Sequence, residues 1–185
     1  MASRGAKDDA GSSEVFQLLK KYCNKRSKQV VSEQFMLCSV KRVSSAEPST
    51  YDVVHNRMFR CSEMSAQANM DDIVQRLVEL IKAQGDYIDK KIKDSIDLQD
   101  LNYNMFKKLT SSVQNLVIQT DQAEASEVQI QRQKIALAFE VTSRLSSLNI
   151  VHQRRLLSFG AQYIEESHSA WVEQHGGWAE AFSVD

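Results

Sequence analysis

Proline is almost missing from this sequence: Pro48, in "SSAEPSTYD", is the only one among 185 residues. Glycine is scarce too, and after Gly11 it occurs only at Gly85, Gly160, Gly176 and Gly177. A long stretch without either breaker reads as helix after helix. The three cysteines, Cys23, Cys38 and Cys61, are odd in number and lie far apart. No CxxC pair exists for zinc or redox work, so reduced thiols in the cytosol are the expectation. The net charge of −1 exerts no global pull toward nucleic acid or an anionic membrane. No apolar run approaches the roughly 20 residues that span a bilayer. The polar start "MASRGAKDDAGSS" has no secretory character, and "WAEAFSVD" at the other end is no hydrophobic tail. A cytoplasmic, soluble chain without a transmembrane anchor is expected.

Catalytic signatures are equally lacking. No HExxH, Gly-rich phosphate loop or G-x-S-x-G elbow occurs. The histidines are His55, His152, His168 and His175, and the gap between the last two is no usual zinc spacing. His168 and His175 are expected at the surface or at helix ends. Nothing points to cysteine–histidine catalysis, a metal or a cofactor, and the chain reads as a non-enzyme.

What is present is an ordinary globular composition, 42% hydrophobic and 25% charged, in a chain suited to one domain with a substantial core. "KKYCNKRSK" puts five positive residues between Lys20 and Lys28. Such a run is either a solvated helix face or a patch for a membrane surface or an acidic partner. After a polar tail, Val15, Leu18, Leu19 and Tyr22 mark a first amphipathic helix, extended through Val30, Val31 and Leu37. Residues 1–42 therefore form an N-terminal helical segment, residues 43–69 a flexible loop, and residues 70–185 the rest of a single helical domain. Asn69 is a plausible N-cap for the next helix, with Asp71 and Asp72 at its positive end. Its stripe runs Ile73, Leu77, Ile81, Ile88, Ile92. In "YNMFKKLTSSVQNLVI", Phe106, Leu109, Val113 and Leu116 share a face.

Ser126 and Gln129 stand at capping-box spacing before "IALAF", Ile135 to Phe139, which is apolar all round. A helix with no polar side is buried on every side, so this is the expected centre of the bundle. Asn149 separates it from a helix through Leu156, Leu157, Tyr163 and Ile164 into Trp171. Gly176 and Gly177 then stop that helix, since only glycine turns left-handed without steric cost. A short helix with Trp178, Ala181 and Phe182 follows, and both tryptophans are expected to fold back onto one surface.

"YIEESHSAWVEQHGGWAEAF" resembles the second homology region of the Bcl-2 family, with Trp171, Gly176, Gly177, Trp178 and Phe182 on its pattern. "LVELIKAQGDYI" resembles the third homology region (BH3), with Leu77, Ile81 and Ile88 at apolar positions and Gly85–Asp86 as the small-acidic pair. Gln84 departs from it by occupying the remaining apolar position. The first homology region is degenerate: Ile130 to Gln133, with Arg132, stand where the family has Asn-Trp-Gly-Arg. That combination is similar to a divergent, Bcl-G-like branch of the family. The resemblance implies an all-α bundle of about eight helices around a central hydrophobic one. It also implies regulation of apoptosis, pro-apoptotic in sign, through helix-in-groove contacts in which Asp86 would pair with an arginine. Partners would be other family members, bound weakly, because Gln84 weakens the donor role and the altered first region weakens the acceptor role. The competing reading is a cytoplasmic helical adaptor with partners outside the apoptotic machinery. For the third region itself, the choice lies between a piece of the chain's own core and a helix released to a partner.

Overall fold

The computed structural model describes residues 13–39, 63–95, 101–121 and 125–183, except the side chains of 30–39, 63–68, 120 and 121. Expectations for the polar tail, for the loop up to residue 62 and for the side chains of Val30, Val31 and Leu37 lie outside that set. Seven helices are found among the described residues: α1 (Glu14–Ser39), α2 (Glu63–Ile81), α3 (Gly85–Asp94), α4 (Tyr103–Asp121), α5 (Glu127–Ser147), α6 (Gln153–Gln174) and α7 (Trp178–Ala181). The architecture is all-α.

The centre is α5, which touches α1, α2, α3, α4 and α6. Its start is fixed by the capping box: the Ser126 hydroxyl accepts from the Gln129 amide, and the Gln129 side chain accepts from the Ser126 amide. Ile135, Ala136, Leu137, Ala138 and Phe139 are all fully buried. Each large side chain removed from water in this way contributes about 1.5–3 kcal/mol. Tyr22 of α1 meets Phe139 edge-on at 5.6 Å, and Trp178 of α7 meets it from another side at 6.0 Å. Where α6 crosses α5, Gly160 lies so close that a β-carbon there would stand 2.6 Å from the Thr142 hydroxyl. The closeness of that crossing rests on the missing side chain.

Three local expectations are corrected. Asn69 is not an N-cap, because α2 begins at Glu63 and passes through it. The segment before it, "EMSAQA", is made of good helix formers, so the last residues of the expected loop join the helix. The single helix expected from residue 70 to Ile92 is two helices, broken at residues 82–84 by a tight turn in which the Gln84 amide bonds the Ile81 carbonyl at 3.0 Å. The break lets the chain change neighbours: α2 packs on α1, α5 and α7, while α3 packs on α4 and α5. Finally, Leu116 points outward at 39% exposure, and Val117 takes the inward place after Phe106, Leu109 and Val113.

Asn149 does separate α5 from α6, in a left-handed conformation with φ 53°. No described helix is long and apolar enough to cross a membrane.

Candidate functional site: the three homology-like regions

The third region straddles the break, with Leu77 and Ile81 on α2 and Ile88 on α3. All three are buried in the chain's own core. Gln84, at the junction, is half-buried. Asp86 lies in the first turn of α3 and faces solvent, where its charge favours the positive end of that helix. The acidic residue of α3 that meets an arginine is Asp89, which pairs with Arg144 of α5. Gly85 leaves room for the same arginine, whose Nη2 would be 3.0 Å from a β-carbon at that position.

The second region is a helix stop followed by an aromatic return. The Gly177 amide bonds the Val172 carbonyl at 2.9 Å and the Gly176 amide bonds the Glu173 carbonyl at 3.2 Å. This paired closure is the Schellman arrangement, with both glycines at positive φ, 82° and 92°. The chain then re-enters the bundle at Trp178, which is buried against Phe139 and stacked on Phe182 at 5.8 Å. Trp171 takes a different place: it is half-buried and stacks on His175 at 4.2 Å, so one tryptophan is a core residue and the other sits at the rim. His175 ends α6 as its C-cap, with Nδ1 2.8 Å from the Trp171 carbonyl.

Ile130, Arg132 and Gln133 of the degenerate first region are half-buried in the first part of α5. Arg132 donates from Nε to the Ala181 carbonyl at 2.6 Å. First and second regions are thus joined through the last carbonyl of α7. The third region approaches them through the contact of α2 with α7, where Asn69, Asp72, Ile73 and Arg76 face Glu180 and Phe182 across a 340 Å³ recess.

Sequence reasoning missed the residue with the strongest electrostatic role, Glu140. It is wholly buried on α5, and three groups converge on its carboxylate. Tyr22 donates its hydroxyl at 2.5 Å, Arg26 approaches at 2.5 Å and the Arg144 Nε at 2.7 Å. Burial pushes the Glu140 carboxyl upward, but the bonds from Arg26 and Tyr22 outweigh it and hold the group below its ordinary value. Burial and the neighbouring Glu140 charge drive the Tyr22 phenol well above its usual range, so it stays a donor. Arg26, Asp89, Glu140 and Arg144 line a polar cleft of about 710 Å³ with Ser143 and Ser147. The signal in the sequence was a lone carboxylate directly after "IALAF", in a stretch of helix that is apolar on every side.

His168 also departs from expectation. It is buried, with its ring edge-on to Tyr163 at 6.0 Å, and neither ring nitrogen has a hydrogen-bond partner among the described residues. Burial, with the Lys134 charge adding to it, lowers its pKa to about 4. Cys23 is buried as well, and burial raises its thiol to about 11, far from a reactive thiolate. Among the described residues no group of three metal-ligating side chains occurs. The geometry offers buried apolar stripes, helix closures and ion pairs.

No family model matches the chain, and no solved structure matches it. Curated proteins do. The chain is 35% identical over 119 residues to apoptosis facilitator Bcl-2-like protein 14 of Homo sapiens, covering 62% of this chain and 36% of that protein. It is 34% identical over 122 residues to the protein of the same name from Bos taurus, covering 63% and 36%. The protein from Mus musculus is likewise 34% identical over 119 residues, covering 62% and 35%. The match thus spans little more than a third of the length of these relatives. Over that shared span the chain is similar to the Bcl-2-like protein 14 branch of the Bcl-2 family.

Proposed function

We propose that this chain is a non-enzymatic regulator of apoptosis, pro-apoptotic in sign, that acts in the cytoplasm through helix-in-groove contacts with other members of its family. The observation that carries the reading is the similarity over 119 residues to a protein named an apoptosis facilitator. Helix order and the closed second region support it. The contacts are weak ones. For the third region to act as a donor, Leu77, Ile81 and Ile88 must leave the core, at about 1.5–3 kcal/mol for each side chain re-exposed. Gln84 then puts an amide where a groove takes an apolar group. As an acceptor the chain is handicapped differently, because Arg132 already spends a donor on the Ala181 carbonyl.

The second reading, a cytoplasmic adaptor with partners outside apoptosis, is favoured by that same closure of both elements. One pair of titrations separates the two. The whole protein is titrated with a third-region peptide from an established family member, and a peptide of residues 70–92 is titrated against several groove-bearing members. Micromolar or tighter binding by the whole protein supports the apoptotic reading, and no binding in either direction supports the adaptor. The unaltered 70–92 peptide is expected to bind weakly, and Gln84→Leu to bind better. Nanomolar binding by the unaltered peptide would make the chain a strong donor and overturn the weak-contact reading.

A further inference from the structure

The polar cleft beside Glu140 is walled on one side by the C-terminal end of α5. Ser147 is the last residue of that helix, is exposed, and lines the cleft with Arg26, Asp89, Glu140 and Arg144. Its hydroxyl donates to the Ser143 carbonyl of the same helix at 3.1 Å. The chain leaves helical geometry directly after it: Leu148 is half exposed and Asn149 is left-handed. Ser147 thus stands at a helix end, where local opening costs least. Arg144 precedes it by three residues, a spacing that puts both on one side of the helix. Along the chain, "RLSS" is also an arginine three residues before a serine, the charge pattern that basophilic protein kinases select. The basic run of α1 contributes Arg26 to the same cleft, whereas Lys21 and Lys25 are taken up by Asp71 and Gln75 of α2.

We propose that Ser147 is a phosphorylation site, and that its phosphate takes Arg144 from Asp89 and so loosens α3. In the transfer, the Ser147 oxygen forms a new bond to the γ-phosphorus of ATP and the bond to the ADP oxygen breaks. The hydroxyl proton passes to a base of the kinase. The phosphate brings a charge of about −1.5 to −2 and three acceptor oxygens to the negative end of α5. It needs cations there, and the two arginines line the same cleft. Their present partners compete unequally. Glu140 is wholly buried and held by Tyr22 as well, so it keeps its arginines. Asp89 is about half exposed, so water can replace its partner. Arg144 therefore keeps Nε on Glu140 and turns Nη1 from Asp89 to the phosphate. With that, α3, which carries Ile88 of the third region, loses its ionic tie to α5. The loosening of α3 stands by itself; its use as a control on partner contacts rests on the function proposed above.

The test uses the full chain with phosphoserine incorporated at position 147 during translation. The same incorporation at Ser158, an exposed serine of α6 outside the cleft, is the control. Phosphate at 147 is expected to raise amide hydrogen exchange at residues 86–94 about two- to fivefold, as the loss of one exposed ion pair, while residues 160–172 stay protected. The Arg144 Nε resonance should shift, and phosphate at 158 should move neither signal. Asp89→Ala should raise exchange at 86–94 by a similar factor, and phosphate at 147 should add little in that variant. Given ATP and a calmodulin-dependent kinase that prefers Arg-x-x-Ser, the unmodified chain should take phosphate on Ser147, and Ser147→Ala should lose that phosphopeptide from the mass spectrum. The proposal fails if the kinase leaves Ser147 unmodified, or if phosphate at 147 leaves exchange at 86–94 unchanged. It also fails if exchange rises equally at 160–172, which is general unfolding, or if phosphate at 147 keeps its full effect in Asp89→Ala.

Discussion

Replacing Glu140 by alanine removes the carboxylate on which α1 and α5 converge, and the cost follows from what each abandoned partner can do next. Arg26 and Arg144 line the polar cleft and keep 27% and 21% of their side-chain surface exposed, so water can replace the lost oxygen. Tyr22 cannot be rescued in this way, since it is fully buried. Its orphaned hydroxyl costs about 1–3 kcal/mol. Together with the lost charge-assisted bonds, the whole substitution falls at about 3–5 kcal/mol, the range for breaking a buried ion pair from one side. Tyr22→Phe alone removes one bond to a charged group, about 1.5–3 kcal/mol, because Glu140 keeps both arginines. In Tyr22→Phe/Glu140→Ala no hydroxyl is left stranded, so the double variant should fall short of the summed singles by about 1–3 kcal/mol. Urea unfolding followed by far-ultraviolet circular dichroism measures all four proteins, with unchanged denaturant slopes as the check that one transition is being compared. Additivity of the two substitutions within about 0.5 kcal/mol would refute the shared-bond account.

Acidification offers an independent check at His168. Its pKa of about 4 in the folded chain lies below the ordinary 6.5, so the unfolded chain binds the extra proton. Stability from this group is present above pH 6.5 and is lost as pH falls toward 4, by about 3 kcal/mol in all. His168→Phe should flatten the pH dependence of the urea midpoint between those limits, and an unchanged slope would show that other groups control it. At the α5–α6 crossing, Gly160→Ala should cost about 1–3 kcal/mol through overpacking against Thr142, and Thr142→Ala in the same chain should recover part of the loss. Gly177→Ala meets no neighbour, yet φ 92° and ψ −177° are open essentially to glycine alone, so about 1–3 kcal/mol is expected there without rescue by any neighbour. Melting curves showing that Thr142→Ala relieves both glycine substitutions equally would contradict the separation of contact from strain.

Features written into short spacings were legible before any coordinates: the Ser126–Gln129 box, the all-round apolar "IALAF", the glycine pair that ends α6. Each depends on residues within about one or two turns of one another. The break at residues 82–84 was not legible, for a physical reason. Three residues of tight turn advance the chain by nearly one helical turn, so Ile81 and Ile88 keep their phase and the apolar stripe reads as unbroken. The start of α2 was hidden because "EMSAQA" has helix propensity without an apolar stripe. Glu140 was missed because its partners Tyr22 and Arg26 are 118 and 114 residues away, and no local period carries such a pairing.

The Gly-Asp pair shows how far a short motif can be trusted. Its resemblance to an interaction helix rests on a small residue beside a carboxylate, with apolar residues one and two turns away. Every one of those features has a use inside this fold. Leu77, Ile81 and Ile88 fill the core. Gly85 admits the Arg144 guanidinium, and Asp86 stabilises the first turn of α3 from solvent. The ionic contact is made one turn later by Asp89, on the same arginine that Glu140 holds from the other side. Release of the third region must therefore break the Asp89–Arg144 pair as well as re-expose three large side chains. Asp89 is about half exposed, so that pair adds only about 0.2–1 kcal/mol and the apolar term dominates. Asp89→Ala should accordingly loosen α3 without freeing α2, raising amide hydrogen exchange at residues 86–94 while leaving residues 73–81 protected. Equal gains in exchange across both helices would mean that α2 and α3 leave the bundle as one unit, with the arginine as their latch.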